Sequence, residues 1–445
     1  MNEETISIIG MGKLGLVTAA CLAHKGYHVI GVDIKPTLIE AINRGHSPRY
    51  EPGLDELMDR VKGRFTATSD YEYAVANSQM VFIFVSTPSE ADGSFSTRYV
   101  EQVIREIAPH LGGRDDFPLI VLRSTVLPGV TQNVVQPLLE QLSGKRCGVD
   151  FGLCYNPEIL ALGSVIHDFL NPDVVIIGES DPTSGELLAK VYRKTCDNNP
   201  PIIRTSLHNA EMAKISLNVF LTLKMSFANT LAEICELIPG GDVDVISQIL
   251  GYHTGIGRRF LTGALGYGGP CFPRDPPAFI SLAEKVGGQA ELARAANQVN
   301  ESQSARVIRL VKQKMGEVSG KSIAILGLTY KPNTDITLES DAIKIATALL
   351  QGGARLAVYD PAGMGNARQD LGQNNIRYAK SAVDCLNGAE LCILATPWDE
   401  FKSLKPEDFT QSMKEPRLLD CWRLLRRPEF TAKLDYFAIG LNLRQ

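Results

Sequence analysis

The stretch ISIIGMGKLGLVTAACLAHKGYHVIGVD, residues 6–33, leaves the chain few ways to fold. A β-rich run at 5–9 meets the turn Gly10-Met11-Gly12-Lys13-Leu14-Gly15, an apolar helical run follows to residue 24, and a second β-rich run at 27–32 ends at Asp33. G-x-G-x-x-G alone is weak evidence. With a strand before it, a helix after it and an acid 18 positions beyond Gly15, it has the full βαβ context of a dinucleotide site. Gly10 makes the tight turn, Gly12 admits a pyrophosphate to the amides of the helix N-terminus, and Gly15 lets helix and strand pack. Asp33 is placed to bind ribose hydroxyls and to repel a 2′-phosphate, so the expected cofactor is NAD rather than NADP.

The rest of the chain extends this pattern. Strands are expected at 80–85, 119–122 and 174–177 with helical stretches between them, which implies a parallel sheet covered on both faces. Residues 208–237 hold neither glycine nor proline and keep helical spacing, so they read as one helix of about 45 Å. A second helical stretch is expected at 289–314. The opening pattern then partly repeats, with a strand at 322–326 ending in Gly327-Leu328, a helix at 342–351, a strand at 355–359 ending in Asp360-Pro361, and a strand at 391–395. The expected fold is α/β, with two Rossmann-like domains of parallel sheet joined by a long central helix. The expected boundaries are 1–205 for the NAD-binding domain, 206–315 for a helical domain with a cysteine loop and a dimer interface, and 316–445 for the second Rossmann-like domain.

Composition excludes several other roles. A net charge of −5 gives no basic surface for nucleic acid. Nine cysteines without a C-x-x-C pair argue against a zinc site and a disulfide framework. No apolar run approaches the ~18 residues of a membrane span, and MNEETISIIG does not read as a signal peptide. A cytoplasmic location is the expectation.

One cysteine stands apart. GYGGPCFPRD, residues 266–275, sets Cys271 between prolines and behind three glycines, which remove side chains where backbone must approach a ligand. A lone cysteine is usually a small buried hydrophobe, and a lysine beside an asparagine is usually a solvated face. Together the two read differently. Lys214 and Asn218 are four apart on the long helix and share a face as a donor pair for an oxyanion. A thiol next to cationic donors is a better nucleophile. A hydroxy-acid dehydrogenase has no use for one. A thiol becomes useful when an aldehyde is oxidised further: it adds to the carbonyl, hydride leaves the thiohemiacetal, and water cleaves the thioester. The combination predicts an alcohol taken to an acid with two NAD+.

These motifs resemble the UDP-glucose/GDP-mannose dehydrogenase family over nearly the whole chain: GMGKLG at 10–15, YEPGL at 50–54, RSTVLPG at 123–129, NPE at 156–158, HDFLNPD at 167–173, the Glu211/Lys214/Asn218 helix, GYGGPCFPRD, GLTYKPNTD at 327–335 and VYDP at 358–361. The resemblance implies oxidation of a nucleotide hexose, foremost UDP-glucose, at C6 to the uronic acid, by a homodimer or larger assembly. It implies Cys271 as nucleophile, Lys214 and Asn218 as the oxyanion and water-orienting pair, Asp275 as the acidic partner, Glu158 as base for thioester hydrolysis and Thr125 as holder of a water. Gly10, Met11, Gly12, Gly15, Asp33, Thr87, Thr125 and Arg274 fall at the cofactor. Glu158, Lys214, Asn218, Phe260, Gly268 and Lys331 fall at the sugar nucleotide.

The chain also departs from the family pattern. A second glutamate four residues after Glu158 is Leu162 here, and an arginine before Glu339-Ser340 is Leu338, which suggests an ion pair replaced by an apolar contact. The loop arginine typical of UDP-glucose enzymes is Gly255. Where the family often has D-G-R-N the chain reads Asp420-Cys421-Trp422-Arg423, so Arg423 is expected to recover a phosphate contact. These changes leave GDP-mannose or another UDP-hexose open as substrate. Two rival readings remain: a two-electron 3-hydroxy-acid dehydrogenase, which would share the N-terminal Rossmann domain and the lysine–asparagine helix, and a catalytically impaired sugar-nucleotide binder, suggested by Leu162 and Leu338.

Overall fold

The computed structural model describes residues 4–443. Two compact units divide the chain between Leu217 and Asn218, inside the single helix Leu207–Leu237 of 31 residues. The expected uninterrupted helix is therefore present.

The first unit is built on eight strands: β1 (Thr5–Ile9), β2 (His28–Val32), β3 (Phe65–Thr68), β4 (Met80–Ile83), β5 (Leu119–Leu122), β6 (Gly152–Tyr155), β7 (Val175–Glu179) and β8 (Ile202–Ser206). Their spatial order is β3-β2-β1-β4-β5-β6-β7-β8. MVFI in β4 and LIVL in β5 are buried at every position, as strands with both faces covered must be. Separate apolar cores lie on the two faces of the sheet.

All pairs are parallel except β6 with β7, where Tyr155 faces Gly178 in antiparallel register. The sheet is parallel-dominated, as expected, with this one exception. The connection from β6 to β7 passes through the six-residue helix Val165–Leu170. After the 14-residue helix Pro182–Thr195, β8 is parallel to β7 again.

The second unit carries a six-stranded sheet of β9 (Ser322–Leu326), β10 (Arg355–Tyr359), β11 (Ile376–Tyr378), β12 (Leu391–Leu394), β13 (Arg417–Asp420) and β14 (Asp435–Ala438). The order is β11-β10-β9-β12-β13-β14, parallel throughout. The helical stretch expected at 289–314 is two helices, Glu291–Glu301 and Gln303–Met315. At the break, the Val299 carbonyl accepts from Ser302 Oγ and Gln303 Nε2, both at 2.8 Å, so side chains compete with the helical ladder. Helices Val243–Tyr252 and Asp275–Lys285 were not foreseen. Among the described residues, no helix is long and apolar enough to cross a membrane.

Candidate active site

In the first unit the glycine turn separates packing from binding. Gly10 has φ +95°, and a Cβ there would lie 2.4 Å from the Phe84 carbonyl oxygen. One on Gly15 would lie 2.0 Å from the Gly10 oxygen. One on Gly12 would meet nothing within 4 Å. The chain's own packing thus requires Gly10 and Gly15, while Gly12 borders open space. No side chain caps helix Lys13–His24, which starts there, so its first amides face that space as a phosphate requires. Asp33, at the end of β2, accepts from Met11 N–H and Lys35 N–H at 3.0 Å each, which fixes the carboxylate beside the turn. Thr87 and Thr125 follow β4 and β5, and Thr87 Oγ1 donates to Thr125 O at 2.7 Å. The residues present fit a dinucleotide with a free 2′-hydroxyl.

Glu158 and Lys214 are brought together and buried at 8% and 4% exposure. Lys214 Nζ donates to the Glu158 carbonyl oxygen at 2.8 Å and lies 3.6 Å from Glu158 Oε1. The loop holding Glu158 is set from both sides. Arg123 donates to Asn156 Oδ1 at 2.5 Å, and Glu51 accepts from Gly163 N–H and Val165 N–H at 2.9 and 2.8 Å. Glu211, one turn before Lys214, accepts from Gly129 N–H, Thr131 N–H and Thr131 Oγ1 at 2.6–2.8 Å, tying the loop that holds Thr125 to the long helix. Burial pushes the Glu211 carboxyl up, opposed by the bonds from Thr131 and Gly129. The sequence marked Glu51 and Glu211 only as motif letters. For Glu51 an acid beside a glycine turn was the available signal; the backbone partners of Glu211 and Glu51 lie about 80 and 110 residues away. Leu162 is half-buried against the apolar core of this unit, and Leu338, in the second, is 57% exposed.

In the second unit the glycines of the cysteine loop also serve the chain's own packing. A Cβ on Gly268 would lie 2.4 Å from the Glu339 carbonyl oxygen, and one on Gly269 (φ +81°) would lie 2.6 Å from the Tyr330 ring. They admit the protein's own chain, and Gly269 N–H donates to Leu338 O at 3.0 Å. Cys271 is half-buried; its carbonyl accepts from Arg274 N–H at 3.1 Å and Asp275 N–H at 3.0 Å. Asp275 opens helix Asp275–Lys285 and accepts from Asn218 Nδ2 at 2.5 Å, with Arg274 Nε 3.8 Å away. Phe260 has φ +68°, a strained conformation for an aromatic residue and one often found at functional sites. Lys331 Nζ lies 5.8 Å from the centre of the Tyr330 ring. Gly255 is exposed.

Arg423 does not fill its expected role. It is buried, and all five N–H donors are used. Nε and Nη2 donate to Asp244 at 2.8 and 3.0 Å, Nη1 to Gly263 O and Ile439 O, and Nη2 also to Thr262 O. No donor remains for a phosphate.

The two sheets use one motif in opposite ways. Gly327 N–H donates to Tyr359 O at 2.8 Å, as Gly10 N–H does to Val32 O. Asp360 therefore stands at the end of β10 as Asp33 does at the end of β2. Asp360 is buried and takes six donors: Leu328 N–H, Thr329 N–H and Oγ1, Trp398 Nε1, Ala362 N–H and Gly363 N–H. Its carboxylate is saturated by its own loops. Among the described residues, only the first unit offers a ribose acceptor of this kind.

Comparison with known proteins agrees with this division. Residues 4–196 match the UDP-glucose/GDP-mannose dehydrogenase family, NAD binding domain; 208–302 match its central domain, and 324–427 its UDP binding domain. UDP-glucose 6-dehydrogenase AglM of Haloferax volcanii is 38% identical across 97% of this chain and 99% of its own. A UDP-glucose dehydrogenase structure from Pyrobaculum islandicum superposes with a TM-score of 0.90 at 32% identity, covering 99% of this chain and 98% of that one. A UDP-D-ManNAc dehydrogenase from Pyrococcus horikoshii follows at 0.85 and 28%, covering 99% and 100%. The glycine turn with its oriented acid, the clamped cysteine loop and these matches lead to one conclusion: the chain belongs to the UDP-glucose/GDP-mannose dehydrogenase family and is an NAD-dependent nucleotide-sugar dehydrogenase.

Proposed function

We propose that this chain oxidises UDP-glucose at C6 to the uronic acid through a covalent intermediate on Cys271. One observation carries the reading. Cys271 is half-buried on a clamped loop that leads into the Asn218–Asp275 pair, and six of the other eight cysteines are buried. UDP-glucose is preferred among hexoses because the Haloferax and Pyrobaculum relatives are UDP-glucose enzymes.

Bound NAD+, held by Gly10, Met11, Gly12, Gly15, Asp33, Thr87, Thr125 and Arg274, supplies the hydride acceptor twice per sugar. The remaining chemistry belongs to side chains. The Cys271 thiolate adds to the C6 aldehyde carbon, forming a C–S bond and moving the carbonyl π electrons onto oxygen. Lys214 Nζ and the second N–H of Asn218 Nδ2 donate to that oxygen, while Asp275 orients the amide. Loss of the second hydride leaves a thioester. Glu158 takes a proton from the attacking water, which Thr125 helps to hold; the hydroxyl adds to the acyl carbon, the C–S bond breaks, and the acid leaves with the Cys271 thiolate restored. Phe260, Gly268 and Lys331 complete the sugar-nucleotide surface.

The working form in this proposal is a homodimer. Phe220, Phe227 and Ile234 recur every seven residues along the long helix and are all exposed, as are Val245, Ile249 and Tyr252 on the next one. An apolar stripe of this kind supports a second copy of the chain as partner. The three-part organisation at 1–205, 206–315 and 316–445 and a cytoplasmic location complete the proposal, the latter supported by the eight cysteines outside the loop, none of which is in a disulfide.

The test is the NADH formed per limiting UDP-glucose, with GDP-mannose and UDP-D-ManNAc in parallel. Two NADH on UDP-glucose are expected. One would mean that the reaction stops at the aldehyde, and two on another sugar alone would reassign the substrate.

A further inference from the structure

The segment just ahead of Cys271 is gripped along its backbone by three side chains. Asn229 accepts from Ala264 N–H at 2.9 Å and donates to Leu265 O at 3.2 Å. Asn300 accepts from Tyr267 N–H at 2.7 Å and donates to Tyr267 O at 3.1 Å. Between them, Gly266 N–H donates to Asp341 Oδ2 at 2.6 Å. A Cβ on Gly266 would lie 2.6 Å from Asn300 Oδ1 and 2.8 Å from Asp341 Oδ2, so the glycine is what lets both acceptors close on the backbone. The loop then stays on the same template: Gly269 N–H bonds Leu338 O, and Gly268 packs on Glu339 O. Residues 338–341 thus carry the turn that carries the thiol.

Two of the three clamps are neutral amides, and the third is a carboxylate. Asp341 is 7% exposed and starts helix Asp341–Gln351. Burial raises its carboxyl to about 6, opposed by the Gly266 N–H and Lys344, while Glu339 adds to the rise. The charged groups that face it are Lys344 and Glu339, themselves paired at 2.6 Å, and the titratable Cys421 lies beyond β13. A folded value above the ordinary 3.8 means that ionised Asp341 costs stability, a cost that appears as pH rises through about 6. An asparagine would accept the same hydrogen bond without that cost. What the charge adds is a shorter, stronger bond.

We propose that Asp341, as its carboxylate, is a positioning residue for Cys271, drawing Gly266 into the geometry from which the thiolate attacks. The inference rests on Cys271 being the nucleophile. It reaches a residue in the wall of the cysteine loop that takes no part in the chemistry itself.

The experiment compares wild type with Asp341→Asn, Asp341→Ala and Cys271→Ser in the full-length enzyme. It measures kcat, KM for the sugar nucleotide, the pH profile from 5 to 8, thermal midpoint, and the rate at which iodoacetamide alkylates Cys271, followed by peptide mass spectrometry. Wild-type kcat is expected to climb through about pH 6, and Asp341→Asn to lack that step. At pH 8 Asp341→Asn should keep or raise the thermal midpoint and lose kcat by about 10-fold, with KM little changed. Asp341→Ala should change the alkylation rate of Cys271 several-fold. If both Asp341 variants keep wild-type kcat, pH profile and alkylation rate while Cys271→Ser is inactive, the positioning role is wrong and the nucleophile stands. If both lose only thermal stability, Asp341 is structural and the inference is overturned. If Cys271→Ser turns over like wild type, the nucleophile reading falls and this one with it.

Discussion

Asn218 Nδ2 donates to Asp275 Oδ2 at 2.5 Å, and both side chains are buried. The amide comes from the long helix and the carboxylate from the first position of the helix after the cysteine loop. Asn218→Ala withdraws one donor from a buried carboxylate and is expected to cost about 2 kcal/mol of stability and about 100-fold in kcat. Asn218→Asp sets two carboxylates face to face, so one of the pair holds its proton at a raised pKa. That variant should gain stability as pH falls from 7 to 5, because its native state then binds more protons than the unfolded chain. Thermal melts across pH, with steady-state kinetics, check both.

Asp33 and Asp360 predict opposite phenotypes from one substitution. Asp33→Ala should raise the KM for NAD by about 10-fold or more and improve the use of NADP, with a small change in melting temperature. Asp360→Ala should leave the KM for NAD unchanged and cost about 3 kcal/mol or more, since six donors lose their acceptor. Cofactor titration beside urea unfolding separates the two.

The glycine turn gives a similar contrast. Gly12→Ala meets open space and should shift stability by less than about 0.5 kcal/mol while weakening NAD binding. Gly10→Ala forces φ +95° on an L residue and meets Phe84 O at 2.4 Å, so it should cost several kcal/mol, on the order of an overpacked core. Calorimetric NAD binding and thermal unfolding of each variant measure these outcomes.

The proposed dimer is tested on the exposed stripe. Phe227→Asp, and separately Ile249→Asp, should shift the mass seen by light scattering from two chains towards one. Retention of a dimer by both would move the interface elsewhere.

The amino-acid sequence alone determined what short-range rules control. A strand, a glycine turn and a helix follow from hydrophobic period and from the φ that only glycine tolerates, so GMGKLG, Asp33 and the helix Leu207–Leu237 were legible. Cys271 stood out because its neighbours stiffen the chain. The tertiary structure decided what these residues face. Asp33 and Asp360 occupy the same place in the same motif, yet one is held beside an open turn and the other is saturated by its own loops. Arg423 looked like a phosphate ligand until Asp244 and three distant carbonyls took its donors. The glycines at 266, 268 and 269 also make room for Asn300, Asp341, Glu339 and Tyr330, which the sequence did not show. Residue type sets what a side chain can donate or accept, and the partner that takes it lies tens to more than a hundred residues away along the chain, beyond the reach of any local period.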